Sequence, residues 1–214
     1  MPPGDYVLDG RVIPSVSEVV SQMRSSYKSA AAEEAMRVGT VVHGLIERSL
    51  VGHAIAEDDV PVEAIHAWAA WCAWRFDRDP TIERLPDGNA ASEVKVIAAD
   101  PEELAFGGRL DLAVKIRESR YLVDLKTRSA GDAGLPSADR HSYCQLGGYS
   151  HAWKQCGYAP FDGALILILG RDHASYRECW LSDDALKASE EEFLALRKVF
   201  HFNETRKRLI KAEK

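Results

Sequence analysis

Six consecutive apolar residues, Ala164-Leu165-Ile166-Leu167-Ile168-Leu169, stand between Gly163 and Gly170 with no polar side chain to turn toward water. A strand carries such a run when both faces of its sheet are covered. The sheet therefore needs layers on both sides, and the rest of the chain offers helical signals before and after a block of strands.

The helical signals come first. Ser15-Val16-Ser17-Glu18 after Pro14 has the Ser-x-x-Glu form of a capping box and predicts a helix running to about residue 25. An alanine-rich stretch from about 29 to 51 places Val38, Val42, Leu45 and Ile46 on one stripe. A third helix, 61–77, opens with proline at a tolerated first-turn position. Residues before about 85 are thus expected to be helical with polar joints. The pattern then changes to β runs at 91–98, 106–116 and 121–127, the last two joined by a turn around 117–120, which makes an antiparallel meander. Asp139 or Ser142 starts a helix ending near Gly157, 176–181 is a further strand, and Ser182-Asp183-Asp184 caps a final helix reaching about 208.

At 214 residues the length favours one domain, 1–214, with a helical N-terminal part (1–85), a sheet core (86–181) and a C-terminal helix (182–214). Composition is that of a globular protein, 46% hydrophobic and 28% charged. No apolar run approaches the roughly 20 residues that span a bilayer, and the first ten residues lack the basic start of a signal peptide. No membrane partner is expected, and a cytoplasmic location is. Cys72, Cys144, Cys156 and Cys179 show no Cys-x-x-Cys spacing, which argues against a zinc knuckle or a redox pair. A formal charge of -6 argues against polyanion binding over the whole surface, but 106–128 carries a local basic excess that includes Arg109 and Arg128.

That basic segment also holds acids in an informative order. Glu93 precedes Gly108-Arg109-Leu110-Asp111, then Val123-Asp124-Leu125-Lys126-Thr127, then Gln145-Leu146-Gly147-Gly148-Tyr149. Phosphodiester hydrolysis needs an oriented water, neutralisation of transition-state charge and a stabilised leaving oxygen, all of which one or two divalent metals can supply. Hard cations such as Mg²⁺ take carboxylate, carbonyl and water oxygens, so acids from different elements must converge. Asp111 and Asp124 lie on strands expected to pair, where residues on one face come within a few ångströms. Alternation puts Asp124 and Lys126 on one face and Leu125 on the other, leaving the Leu125 carbonyl as a further metal ligand. Glu93 would complete the acidic set. Gln145 and Tyr149, four apart, share a helix face where they could hold a phosphate or orient the lysine. Gly147 and Gly148 between them, each costing about 1 kcal/mol in a helix, point to close approach of another backbone or of substrate. His43, four residues after Gly39, is a candidate ligand that would favour Mn²⁺ as well as Mg²⁺, and Glu47 continues its face.

Together these motifs resemble the PD-(D/E)XK nuclease superfamily, in particular the RecB-like group that includes λ-type and mitochondrial genome-maintenance exonucleases. The resemblance runs from His43 to Tyr149, about half the chain. It implies an α/β (α+β) fold with a restriction-endonuclease-like αβββαβ core, a central mixed sheet flanked by helices and an added N-terminal helical region. It further implies His43, Glu93, Asp111, Asp124 and Lys126 as metal-binding and catalytic positions, with Gln145 and Tyr149 as the Gln-x-x-x-Tyr motif. The proline that the superfamily often places before its first aspartate is replaced by Leu110, whereas Gly-x-x-Asp is the RecB-like form. Relatives with an iron–sulfur cluster need three clustered cysteines near the C-terminus, and only Cys179 lies beyond Cys156, so no cluster is expected. The implied activity is Mg²⁺- or Mn²⁺-dependent DNA exonuclease action in phage-type recombination, replication or repair, in a phage or bacterial host cytoplasm. Linear DNA is the implied partner, with Arg109, Arg128, Gln145 and Tyr149 as candidate contacts, and a homo-oligomer or a recombination partner protein stays open. The alternatives are a structure-selective endonuclease and a catalytically silent nucleic-acid-binding subunit.

Plainer readings stand beside these. Glu93-Val94-Lys95 is a second acid-x-Lys triplet, set aside because 124–126 lies in an apolar strand between the other motifs. Trp68, Trp71 and Trp74 could stack bases, but helix packing is the preferred reading. Arg206-Lys207-Arg208 could grip DNA or simply complement a helix C-terminus, and the second is preferred.

Overall fold

The computed structural model describes residues 6–23, 30–131 and 133–212. A short hairpin, β1 (Val7–Leu8) and β2 (Arg11–Val12), leads into α1 (Val16–Ser21), α2 (Ala30–Leu50) and α3 (Ile65–Arg78). Then come β3 (Thr81–Ile82), β4 (Ser92–Ala98), β5 (Phe106–Ile116), β6 (Ser119–Arg128), α4 (Arg140–Gln155), β7 (Gly163–Gly170), β8 (Tyr176–Ser182) and α5 (Asp183–Ala212). Six strands form one mixed sheet in the order β3-β5-β6-β7-β8, with β4 also pairing β5, on the side it shares with β3. Only β6 and β7 are parallel, and α4 is the crossover that such a pair requires. The succession α2-β4-β5-β6-α4-β7 is the expected αβββαβ core, an α+β sheet flanked by helices and consistent with a restriction-endonuclease-like fold.

Strand β7 is buried along its whole length and explains the layering. Ala164, Ile166 and Ile168 enter the core shared with α1, α4 and α5, while Leu165, Leu167 and Leu169 enter the opposite core, shared with α2 and α3. Val38, Val42, Leu45 and Ile46 are buried in that second core, as their stripe predicts. Trp71 and Trp74 are also there, stacked at 5.3 Å between ring centroids, with Trp68 packed at the margin. The tryptophan repeat is core packing.

The expectation of an all-helical region before residue 85 is corrected twice. Asp9 and Gly10, both at positive φ, close the β1–β2 hairpin, an Asp-Gly turn whose twist suits a two-residue connection. The second correction is β3, which pairs Thr81 with Lys115 and Ile82 with Val114. The Ser15 capping box is present, but α1 stops at Ser21 and the rest of the expected helix, 24–25, lies outside the described residues. Pro61 caps a 3-10 turn, so the third helix begins at Ile65. The β5–β6 turn is the tight pair Arg117-Glu118, with Arg117 at φ 55.

Gly147 and Gly148 mark where α4 meets α5. A Cβ on Gly147 would strike the Ser189 carbonyl oxygen, and one on Gly148 would come within 2.8 Å of the Phe193 ring. The close neighbour foreseen for these glycines is thus the α5 helix. Ser150 and Lys154 tie the same interface by donating to Glu190. Gly147→Ala is expected to cost about 1–3 kcal/mol through overpacking, read as a lower urea midpoint with an unchanged slope. An unaltered midpoint would mean that α5 can shift away at no cost.

Candidate active site

The ladder between β5 and β6 pairs Leu112 with Val123 and ends there. One step further along the register, Asp111 faces Asp124. On the other side of β5, the pairs Ser92–Leu112 and Val94–Leu110 bracket Glu93 opposite the same Asp111. Glu93 has φ 52, a left-handed conformation uncommon for a residue with a side chain, and it forms no ladder pair. Three carboxylates therefore stand level on three adjacent strands where regular pairing stops. The Leu125 amide, released from the ladder, donates instead to Asp111 Oδ2 at 2.7 Å.

His43 reaches this level from α2. Its Nδ1 lies 3.3 Å from Glu93 Oε1 and 3.6 Å from Asp111 Oδ1, and its Nε2 lies 3.3 Å from the Leu125 carbonyl oxygen. Burial alone would lower the His43 pKa, but the Asp111 and Glu93 carboxylates outweigh it and raise it to about 9. Asp111 is pushed up to about 6, by burial first and by the Asp124 and Glu93 charges next, against the pull of His43 and Lys126.

Asp124 is turned toward the other side of the gap. Lys126 Nζ lies 2.7 Å from its Oδ2 and donates to its Oδ1 at 3.0 Å and to Gln145 Oε1 at 3.1 Å. The approach to Oδ2 lacks hydrogen-bond direction, so that buried oxygen has an ion-pair contact without accepting a hydrogen bond. Gln145 Nε2 donates to the Tyr149 hydroxyl at 2.8 Å and to Ser17 Oγ at 3.4 Å. Burial, then the Asp124 and Asp111 charges, push the Tyr149 pKa well above the ordinary phenol range, so the hydroxyl stays neutral. Gly108 is part of this packing, because a Cβ there would come within 2.7 Å of the Tyr149 ring. The Gly of Gly-x-x-Asp thus makes room for the Tyr of Gln-x-x-x-Tyr.

The expected residues therefore meet as two groups joined at Asp111. His43, Glu93 and Asp111 each present a ligand atom within 4.8 Å of the others, beside the Leu125 carbonyl; Asp124 is outside that cluster and pairs with Lys126. One nitrogen with several hard oxygens is a donor set that fits a divalent cation of the Mg²⁺ or Mn²⁺ kind. The buried Asp124 Oδ2, held by its ion-pair contact with Lys126 without accepting a hydrogen bond, is a further hard oxygen beside this set. Arg109 Nε is 3.4 Å from Glu93 Oε2, at the border of a recess shared with Ser15, Ser17 and Tyr149. Arg128 lies along β6 from Lys126, and its Nη1 donates to the Thr127 carbonyl. Glu47 and Lys95 are exposed, outside the cluster. Ser17, on the Gln145 amide, was passed over as a site residue; its only sequence signal was its place in the capping segment.

No family model matches this chain, and no curated protein matches it. Among solved structures, a "Putative exonuclease" from Eubacterium rectale is similar with a TM-score of 0.51 at 12% identity, over 87% of this chain and 81% of that one. LHK-Exo in complex with dAMP gives a TM-score of 0.44 at 15% identity, over 94% of this chain and 93% of that one. At such identity the first likeness speaks to the fold alone, and this chain shares that fold.

Asp111→Asn keeps an acceptor for the Leu125 amide while removing the central charge. It is expected to retain the fold by circular dichroism and to weaken Mn²⁺ binding at least tenfold, about 1.4 kcal/mol, by calorimetry. Wild-type affinity in this variant would remove Asp111 from the metal site.

Proposed function

We propose that this chain is a divalent-metal-dependent deoxyribonuclease of the exonuclease type, built as one nuclease domain. The observation that carries the reading is the meeting of Glu93, Asp111 and Asp124 at one level of three neighbouring strands, with Lys126 held beside them. His43, Glu93, Asp111, Asp124 and the Leu125 carbonyl are the proposed ligands of Mg²⁺ or Mn²⁺, which when bound would lower the pKa of a water and neutralise charge on the phosphate.

The chain's own groups account for the remaining needs of the reaction. An ammonium has three donors; Asp124 and Gln145 engage two on Lys126, which leaves one to hold a water or a phosphate oxygen. Gln145 is itself fixed by Tyr149 and Ser17, so the lysine is oriented before substrate arrives. Arg109, bordering the recess beside Tyr149, is suited to a flanking phosphate, and Arg128 borders a separate small recess together with Lys126.

The test is a time course on end-labelled linear single- and double-stranded DNA with Mg²⁺ or Mn²⁺ and with chelator. Degradation that stops with chelator is expected, and Asp124→Ala or Lys126→Ala should lower the rate by about 10²–10³-fold or more while circular dichroism is unchanged. Wild-type rates in either variant would end the proposal. Nicking of closed circles would reassign the activity as endonucleolytic, and DNA binding without turnover under any divalent ion would make the chain a binding subunit.

A further inference from the structure

Arg197 of α5 is buried, 4% exposed, and its Nε and Nη1 have no hydrogen-bond partner among the described residues. Its Nη2 donates to the carbonyl oxygen of Ala105 at 3.0 Å and reaches that of Glu103 at 3.4 Å. No carboxylate offsets its charge among the described residues; the charged group acting on it is Arg11, a second cation. Burial first, then Arg11, lower its pKa to about 10. A guanidinium buried without an anion is costly, and its ordinary complement is a carboxylate or a phosphate.

Arg197 lines a cleft together with Arg11, His201, Thr205, Arg208 and two acids, Glu103 and Glu204, and Arg11 also reaches Glu102, donating to its carbonyl oxygen at 2.6 Å. Lys207 already engages Glu204 at 2.8 Å, which weakens its competition for the arginines. One chain segment borders both this cleft and the candidate active site. Arg11, Ile13 and Pro14 border the cleft, while Ser15 and Ser17 of the same segment border the recess that contains Arg109 and Tyr149. The six steps from Arg11 to Ser17 span at most about 22 Å, about six phosphate spacings of a stacked strand at about 3.4 Å each.

We propose that the Arg197 cleft is a second phosphate-binding subsite, which holds a backbone phosphate of the nucleic acid strand a few nucleotides from the one that reacts. This deepens the nuclease reading and rests on it for the identity of the strand. The chemistry required is a phosphate-type oxyanion facing a buried guanidinium and the more exposed Arg208, with His201 and Thr205 as further polar contacts. Free phosphate shares that chemistry, and the test separates the two.

Binding is read on the full chain in chelator, so no cleavage intervenes, by fluorescence anisotropy with labelled single strands of 12 and 3 nucleotides. Arg208→Glu is expected to weaken the 12-mer about tenfold and to lower the salt slope by about 1, with the 3-mer, too short to reach, unaffected. Arg197→Gln should do the same; if this buried variant fails to fold, Arg208→Glu still decides. Equal 12-mer affinity and salt slope in Arg208→Glu and wild type would overturn the subsite. A rise in melting temperature with inorganic phosphate that Arg208→Glu abolishes, with strand binding unchanged, would mean that the cleft takes a free anion and would overturn the strand assignment. Arg208-dependent binding of the 12-mer by a protein that degrades no DNA with Mg²⁺ or Mn²⁺ would uphold the subsite and sink the nuclease reading.

Discussion

One side-chain hydrogen bond organises the centre of this protein: the Leu125 amide donates to Asp111 where the β5–β6 ladder ends. A buried amide left without an acceptor is destabilising, so Asp111 must stay between the strands to satisfy it. In an extended antiparallel strand the amide and carbonyl of one residue point to the same side, and the gap that frees the Leu125 amide also frees its carbonyl, which meets His43. Asp111 is then the junction of two groups, His43 and Glu93 on one side and Asp124 with Lys126 on the other.

The gap can exist because the rest of the sheet is held firmly. β7 places alternate residues in two separate cores, and each core brings one helix that serves the site. α2 carries His43 across one face. On the opposite face, α4 carries Gln145 and Tyr149, and its glycines let α5 press close from behind. The position of the Lys126 ammonium thus depends on interhelical packing behind the site, through Gln145, which touches both the lysine and Tyr149.

Much of this is legible in the amino-acid sequence. The 106–116 strand, the helix after residue 139, whose cap the structure settles as Asp139 rather than Ser142, and the burial of the Val38–Val42–Leu45–Ile46 stripe follow from periodicity and capping, which act over a few residues. Asp9-Gly10 is a local hairpin signal within a region that otherwise reads as helical, whereas β3, with two residues, is too short to show alternation and carries no such signal. Strand pairing also implies that Asp111 and Asp124 lie on neighbouring strands, and the register places them opposite each other. Pairing and alternation alone could not foresee that Asp124 would face Lys126 while Asp111 turned to His43, because that choice follows from the break in the ladder and the left-handed Glu93.

By itself, the sequence determined the long helices and the strands from β4 onward, which faces are apolar, and which acids, lysine and amide could share a site, because short-range backbone and solvation preferences act on neighbouring residues. Only the tertiary structure decided that three carboxylates stand level, that Ser17 supports Gln145, and that Arg197 is buried near Arg11 with no carboxylate partner among the described residues. Those relations join residues tens to nearly two hundred positions apart. Their energies depend on burial and on charge–charge distance, which no local pattern records.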